Sequence, residues 1–429
     1  METSRRLQYF ISILLLISIT GCNVTRNLPA NEYLLTANKI HISDPNISSD
    51  DLSGYLQQTP NSKLFSIFRP NIAFYNLGSK GKGNHFKKWL RTRLGSAPVL
   101  MDTTLINVAK KQMGLYLDNK GYFKSEIRDS IVKHKKKAKV FYIVKTSRPY
   151  TIRNITFSIP DKQISTIVLQ DTAHCKIRKG KNYDAYLLDD ERTRIASHLQ
   201  DCGYYRFSTN FIVFRIDSSL MTNQMDINIE ITNPVIPSFY EFGSFMEIPH
   251  QQYYINKIYI EPQYNLLQAD TIPMDTLVME CPVSPHDTVM NRYYFLYRGK
   301  LPLKPGIISR SIFIEPGKFY NTTDVTNTYS MLSRLGIFQY INIQFKEPQT
   351  KDILYKEFLD SHIQLTRVQN QTFSISTDGT NSGGAFGLQA NFTYLNRNIF
   401  RGAQLLRLNF NASAQAQASI GTSQNKNLF

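Results

Sequence analysis

Apolar residues recur along this chain in two rhythms, and the order of the rhythms repeats. Lys39-Ile40-His41-Ile42 alternates as a strand does. Ser48-Ser49-Asp50 follows, with side-chain oxygens fit to cap a first helix. Asp102 then precedes Val108, Met113, Leu115 and Leu117, read as one face of a helix. Gly121 ends that helix as a C′ glycine does, and runs over 123–132 and 139–146 predict two strands. The order returns from Thr151, with Ile152, Ile155, Phe157 and Ile159, a helix over Asp184–Gln200, Gly203, and strands over Phe207–Ile216 and Met225–Ile231. A third pass has Ile255, Ile258 and Ile260, a helix over Thr322–Leu335, Gly336, and strands over Phe338–Phe345 and His362–Val368. Each pass reads strand–helix–helix–strand–strand. The corners Gly121-Tyr122-Phe123, Gly203-Tyr204-Tyr205 and Gly336-Ile337-Phe338 mark a row of small α+β modules.

After Val368 the helical rhythm stops. Phe386, Leu388, Ala390, Phe392 and Tyr394 alternate with Gly387, Gln389, Asn391 and Thr393. Leu406, Leu408, Phe410 and Ala412 alternate with Arg407, Asn409 and Asn411. Turn-rich pieces at Asp378–Gly384 and Asn398–Gly402 divide these runs. The polar face is Gln, Asn, Thr and Ser, where a soluble sheet more often shows Lys and Glu. Such strands resemble those of a transmembrane barrel, apolar to lipid and polar to lumen. A soluble antiparallel sheet with one wet face gives the same alternation.

The first residues carry Arg5 and Arg6, then an apolar run from Phe10 to Ile17, ending at Ile19-Thr20-Gly21-Cys22. The run is too short for a membrane-spanning helix and fits a secretory signal. The final four residues resemble a bacterial lipobox, so Cys22 is expected to be acylated. Three cysteines remain beyond it, Cys175, Cys202 and Cys281. A Cys175–Cys202 disulfide and two unbonded thiols both fit. His174, Cys175, His198 and Cys202 lack C-x-x-C or H-x-x-x-H spacing, so no metal site and no cofactor is expected.

The chain has 429 residues and a net charge of +17. A secreted, acylated chain does not meet nucleic acid, so this charge points to anionic lipid headgroups or to solubility. A basic stretch includes Lys80, Lys82, Lys87, Lys88, Arg91 and Arg93, with Trp89 among them. Trp favours membrane interfaces, so Lys87, Lys88, Trp89, Arg91 and Arg93 are candidates for headgroup contact. A second stretch, His134–Lys137, could also touch headgroups, but a solvated hairpin loop is its better reading. The chain holds no G-x-S-x-G, H-E-x-x-H or Walker loop, and its eight His are scattered. It is therefore not expected to be an enzyme.

The module order, the stretches Leu117–Phe123 and Leu332–Phe338 and the turn Asn396–Gly402 together resemble the BamA/TamA family of outer-membrane assembly proteins. In that family periplasmic POTRA repeats (β-α-α-β-β) precede a transmembrane antiparallel β-barrel of the surface-antigen type. The lipobox makes the chain most similar to the TamL lipoprotein branch of Bacteroidetes. The implied organisation is a signal at 1–21, an acylated start and tether at 22–37, and repeats at 38–147, 148–234 and 253–368. A linker at 235–252 separates the second and third repeats, the third carries an insertion at about 262–315, and barrel strands begin at 369–429. About sixty residues supply only three or four such strands, so the chain is expected to be the opening part of a longer protein.

The resemblance implies insertion or translocation of proteins at the bacterial outer membrane, with the repeats in the periplasm and the lipid as anchor. Unfolded outer-membrane clients would add to a repeat's edge strand by main-chain hydrogen bonding, with Phe338, Tyr340, Ile341, Ile343 and Phe345 as candidate contacts. Phe373 and Ile375 would lie on the barrel's first strand, at its seam. Membrane lipids and a periplasm-spanning inner-membrane partner of TamB type complete the expected partners. The alternative is a periplasmic or surface-exposed binding lipoprotein without insertase activity. A membrane-anchored hydrolase fits less well, for want of a nucleophile elbow.

Overall fold

The corner glycines fix the local geometry from which each module grows. Helices Thr103–Asn119 and Ala185–Asp201 end at Gly121 and Gly203, whose φ angles are +87° and +98°. At the first corner Tyr122 N–H donates to Leu117 O at 2.8 Å, and Gly121 N–H to Asp118 O at 2.9 Å. At the second, Tyr204 N–H donates to Leu199 O and Gly203 N–H to Gln200 O, both at 3.2 Å. This is the Schellman pairing, which satisfies the helix's last carbonyls and needs a left-handed residue at C′. The third helix, Thr322–Arg334, ends at Gly336, φ +65°, with Gly336 N–H on Ser333 O. A buried Leu precedes each glycine by four residues (Leu117, Leu199, Leu332), and a buried Tyr122, Tyr204 or Ile337 follows it. That apolar pair is the sequence cause of the repeated corner.

The structure, a computed structural model, describes residues 24–25, 28–29, 31–64, 69–79, 84–219, 222–238, 243–265, 273–282, 290–348, 357–382 and 385–416. Cys22, Lys80 and Lys82 lie outside them. The chain forms two compact units. One comprises the chain up to Ser158 with Cys175–Glu191 and Phe214–Ile229. The other comprises Ile159–His174, Arg192–Val213 and the chain from Glu230.

The first module pairs β1 (Leu34–Ile42), β2 (Glu126–His134) and β3 (Lys137–Lys145) in the order β1-β3-β2. β1 runs parallel to β3, and β2 antiparallel to it. The strand starts within the stretch expected to be tether, because Leu34 and Leu35 are fully buried. Helix Ser49–Ser53 carries the capping box of Ser48 and Asp51, and Asp102 accepts from Thr104 N–H at 2.7 Å. The buried face of helix Thr103–Asn119 is Ile106, Ala109, Met113 and Leu117, which packs on Val140, Tyr142 and Val144. Val108 and Leu115, expected on that face, are exposed, since they fall outside the 3.6-residue stripe set by those four.

The second module comprises β4 (Thr151–Ser158), helix Lys162–Gln170 capped by Asp161, helix Ala185–Asp201, β5 (Ile212–Asp217) and β6 (Gln224–Ile231), with strand order β4-β6-β5. Residues expected to be linker form a small hairpin of β7 (Val235–Pro237) and β8 (Phe245–Glu247). The third module has β9 (Tyr253–Glu261), an inserted hairpin of β10 (Asp275–Pro282) and β11 (Met290–Tyr297), then β12 (Phe338–Lys346) and β13 (Glu357–Arg367). Their order is β10-β11-β9-β13-β12, so the insertion extends the sheet beyond β9. Ile258, Ile260, Phe295, Leu332, Ile363 and Leu365 anchor its core. Last come β14 (Gln371–Ser382), β15 (Ala385–Asn396) and β16 (Leu406–Ala416), an antiparallel sheet in continuous register. Among the described residues these three strands are open, not closed into a barrel.

Candidate functional site

The first two corners join the start of the next module by the same backbone bonds. Gly121 O accepts from Tyr150 N–H and Gly203 O from Tyr253 N–H, each at 2.9 Å. Tyr183 N–H then donates to Tyr150 O, and Tyr320 N–H to Tyr253 O, both at 2.8 Å. In the first module Met101 N–H donates to Tyr33 O in the same way, also at 2.8 Å. The isolated bridges Leu34–Leu100, Thr151–Asn182 and Tyr254–Phe319 complete the correspondence. A second repeated motif underlies it, Gly180-Lys181-Asn182-Tyr183-Asp184 and Gly317-Lys318-Phe319-Tyr320-Asn321. Sequence reading missed this motif, although the spacing Gly-Lys-x-Tyr-Asp/Asn before a helix was its signal.

The second aromatic of each of these two corners wedges between two tyrosines of the next module. Phe123 lies 5.2 Å from Tyr150 and 5.6 Å from Tyr183. Tyr205 lies 5.8 Å from Tyr253 and 4.9 Å from Tyr320. Edge and tilted pairs at such distances are worth about 0.5–1.5 kcal/mol beyond area burial. At the first junction Lys120 also pairs with Asp184 at 2.7 Å and lies over the Tyr186 ring. Burial works against the Lys120 ammonium, but the Asp184 carboxylate holds its pKa above the usual value. At the second, Asp201 accepts from the N–H and hydroxyl of Thr323, at the start of helix Thr322–Arg334.

The corners place the strands β2, β5 and β12 at the edges of their sheets. The side chains of β12 divide between its two faces. A bulge between Phe338 and Tyr340 puts both Phe338 and Ile341 toward the core, with Ile343 and Phe345. Phe345 belongs to the junction, 5.6 Å from Tyr205 and 5.1 Å from Tyr320. Only Tyr340, 47% exposed, projects its ring to solvent. The five candidate residues thus offer a partner one ring and a main-chain edge, not an apolar pocket.

The basic stretch folds into helix His85–Trp89, continued by a wide turn over Leu90–Leu94. Gly78 and Gly95 let the neighbouring helix Pro70–Gly78 approach, since a Cβ at either would meet backbone at under 3 Å. Leu90 is buried there, while Phe86 and Trp89 are exposed and stack at 6.0 Å. Lys87, Lys88, Arg91 and Arg93 share this segment, so the expected aromatic and cationic groups are brought together. Phe86 and Leu94 extend the apolar part beyond what the sequence singled out.

The terminal sheet exposes its apolar face. Phe373 and Ile375 on edge strand β14 are 64% and 76% exposed. Rings run across the strands, with Phe373 at 5.1 Å from Tyr394 and Phe392 at 6.0 Å from Phe410. The β15–β16 turn is docked on the third module: Lys304 N–H donates to Arg401 O at 2.9 Å, Asn398 Nδ2 to Pro302 O at 3.0 Å, and the Arg401 guanidinium to Leu301 O. Ala403 packs against that module's core.

No metal-ligating cluster occurs among the described residues. His174 bonds Asp171, as does Arg194, and Cys175 Sγ donates to Ile177 O. Burial opposes it, but Arg194 and His174 hold the Asp171 carboxyl below its usual pKa. No disulfide joins Cys175, Cys202 or Cys281.

No protein-family model matches the chain, and no curated protein matches it. Among solved structures it is similar to the POTRA3-5 segment of Haemophilus influenzae BamA, at 14% identity and a TM-score of 0.37, over 79% of this chain and 99% of that one. It is similar to Haemophilus ducreyi BamA lacking POTRA domains 1-3, at 12% identity and a TM-score of 0.34, over 62% of this chain and 43% of that one. CdiB from Acinetobacter baumannii gives 14% identity and a TM-score of 0.29, over 62% of this chain and 38% of that one. The chain therefore spans less than half the length of the latter two. These likenesses are distant, and the functional reading rests on the chain's own residues.

Proposed function

We propose that the chain is a lipid-anchored factor for insertion or translocation of proteins at the bacterial outer membrane, working by strand capture and without covalent chemistry. The observation that carries this reading is the terminal sheet, an exposed and nearly uncharged apolar face docked by its turn on the third module. Lipid is the natural cover for such a face, and main-chain pairing within the sheet is what a membrane demands. The open edge of β12, in that same module, is where an unfolded client strand pairs. Acylation at Cys22 tethers the modules to the membrane, with a TamB-type protein as their inner-membrane partner. Phe373 and Ile375 flank the seam at which strands pass.

The test places a photoreactive amino acid at Tyr340 of the full chain and offers it a urea-unfolded outer-membrane barrel protein. The expected result is crosslinking to the unfolded client and none to the same client already folded in detergent. Equal labelling of both, or of neither, would overturn strand capture at this edge.

A further inference from the structure

The outer face of the first module's sheet differs from that of the second. On β3 the buried residues alternate with Lys137, Lys139, Phe141, Ile143 and Lys145, which all face outward. Register places Lys39 beside Phe141 and His41 beside Ile143 on β1. On the β2 side, Val132 lies beside Lys139, Arg128 beside Ile143 and Glu126 beside Lys145. The one carboxylate of this face, Glu126, pairs with Arg128 at 3.0 Å. Lys39, Lys137, Lys139 and Lys145 form no ion pair with a described residue. Between these lysines sit Phe141, Ile143 and Val132, the last two 38% and 52% exposed, with His41 stacked on Phe141 at 6.0 Å. On the second module's sheet Arg153 is neutralised by Asp226, and Thr156 and Ser158 bond Asn228.

We infer that this face of the first module is a docking surface for an anionic membrane, with lysines on headgroup phosphates and Phe141, Ile143 and Val132 at the interface. Spread decides against a single small anion. Lys137 and Lys145 are eight strand positions apart, about 26 Å at 3.3 Å per residue. An array of headgroups matches that span, and a lone phosphate does not. Exposed apolar side chains at the centre of the cations favour a lipid surface over an acidic protein, which would leave them in contact with charge. The inference goes beyond client handling and stands without it, since lipid vesicles contain no client.

The test uses the full chain and two vesicle compositions, pure phosphatidylcholine and phosphatidylcholine with three-tenths phosphatidylglycerol. Each lysine near an anionic surface contributes about fivefold in partitioning, so K137Q/K139Q/K145Q should lose roughly a hundredfold on anionic vesicles. Partitioning to neutral vesicles, which reports the apolar segments, should not move. A photoreactive group at Ile143 should label lipid only in the anionic vesicles, and the same group at Asn228 in neither. An unchanged anionic preference in the triple variant would overturn the inference. So would lipid labelling from position 143 that ignores vesicle charge, or its absence on anionic vesicles.

Discussion

The helical modules and the terminal sheet treat apolar residues in opposite ways. In the third module Ile258, Ile363 and Leu365 are fully buried. A few residues later Phe373, Ile375, Leu388 and Phe410 stand more than 60% exposed on a sheet with Asp378 as its one described acid. Both regions alternate with period two, so the strand rhythm alone does not say what covers the apolar side. What differs among the described residues is the partner: a helix packs on each module's sheet, and no described helix packs on the terminal sheet. Large apolar side chains standing exposed on one sheet mark a surface built for contact, which the proposal assigns to lipid.

The sharpest break between the two regions comes from truncating side chains. Leu199→Ala should cost about 2–5 kcal/mol, because it empties a fully packed helix face. Ile375→Ala in aqueous buffer should change stability by less than about 0.5 kcal/mol, since no protein packing is lost. Urea unfolding followed by circular dichroism compares them, and equal losses would remove the distinction. The corner glycines come next. Gly203→Ala places a Cβ 2.9 Å from the Phe319 ring as well as in a left-handed conformation, whereas Gly336 meets nothing within 4 Å. Gly336→Ala should therefore cost only the conformational penalty of about 1–2 kcal/mol, and Gly203→Ala more. The same unfolding measurement ranks the two, and a reversed order would contradict the junction geometry.

The smallest effect is one of pH. Burial pushes the His250 imidazole below its ordinary pKa, where it lies between Phe207 and Phe211 with Nε2 3.0 Å from Thr232 O. Burial also lowers His362, helped by Lys346. The unfolded chain then binds more protons than the folded one just below pH 6.5. Stability should be complete above that value and fall as acid is added between pH 7 and pH 5. His250→Phe should reduce the slope without abolishing it, as followed by thermal unfolding across that range. An unchanged slope would show that His250 is not the group being titrated.

Much of this architecture was legible because its causes are local. The Leu-x-x-x-Gly-aromatic corner writes its own hydrogen bonds, and Asp102 announces its helix as a cap. Other features depend on distant partners and left fainter marks. Hairpin β10–β11 joins the sheet through Tyr293–Ile258 and Phe295–Ile260, a pairing that no local pattern specifies. The helix Pro70–Gly78 depends on close backbone approach at Gly78 and Gly95, which looks like loop composition in sequence. At β12 the five candidate residues were identifiable, but the bulge at their start decided which ring faces out. The cationic sheet face was hidden for the same reason, as its lysines come from β1 and β3, far apart in sequence.

The central claim is that the apolar face of the terminal sheet lies in lipid. Spin labels placed singly at residues 373 to 376 of the full chain in bilayers test it, by collision with oxygen and with a water-soluble nickel chelate. Labels at Phe373 and Ile375 should favour oxygen, and labels at Ser374 and Ser376 the chelate, with a period of two. Uniform access of the chelate at all four positions would contradict it.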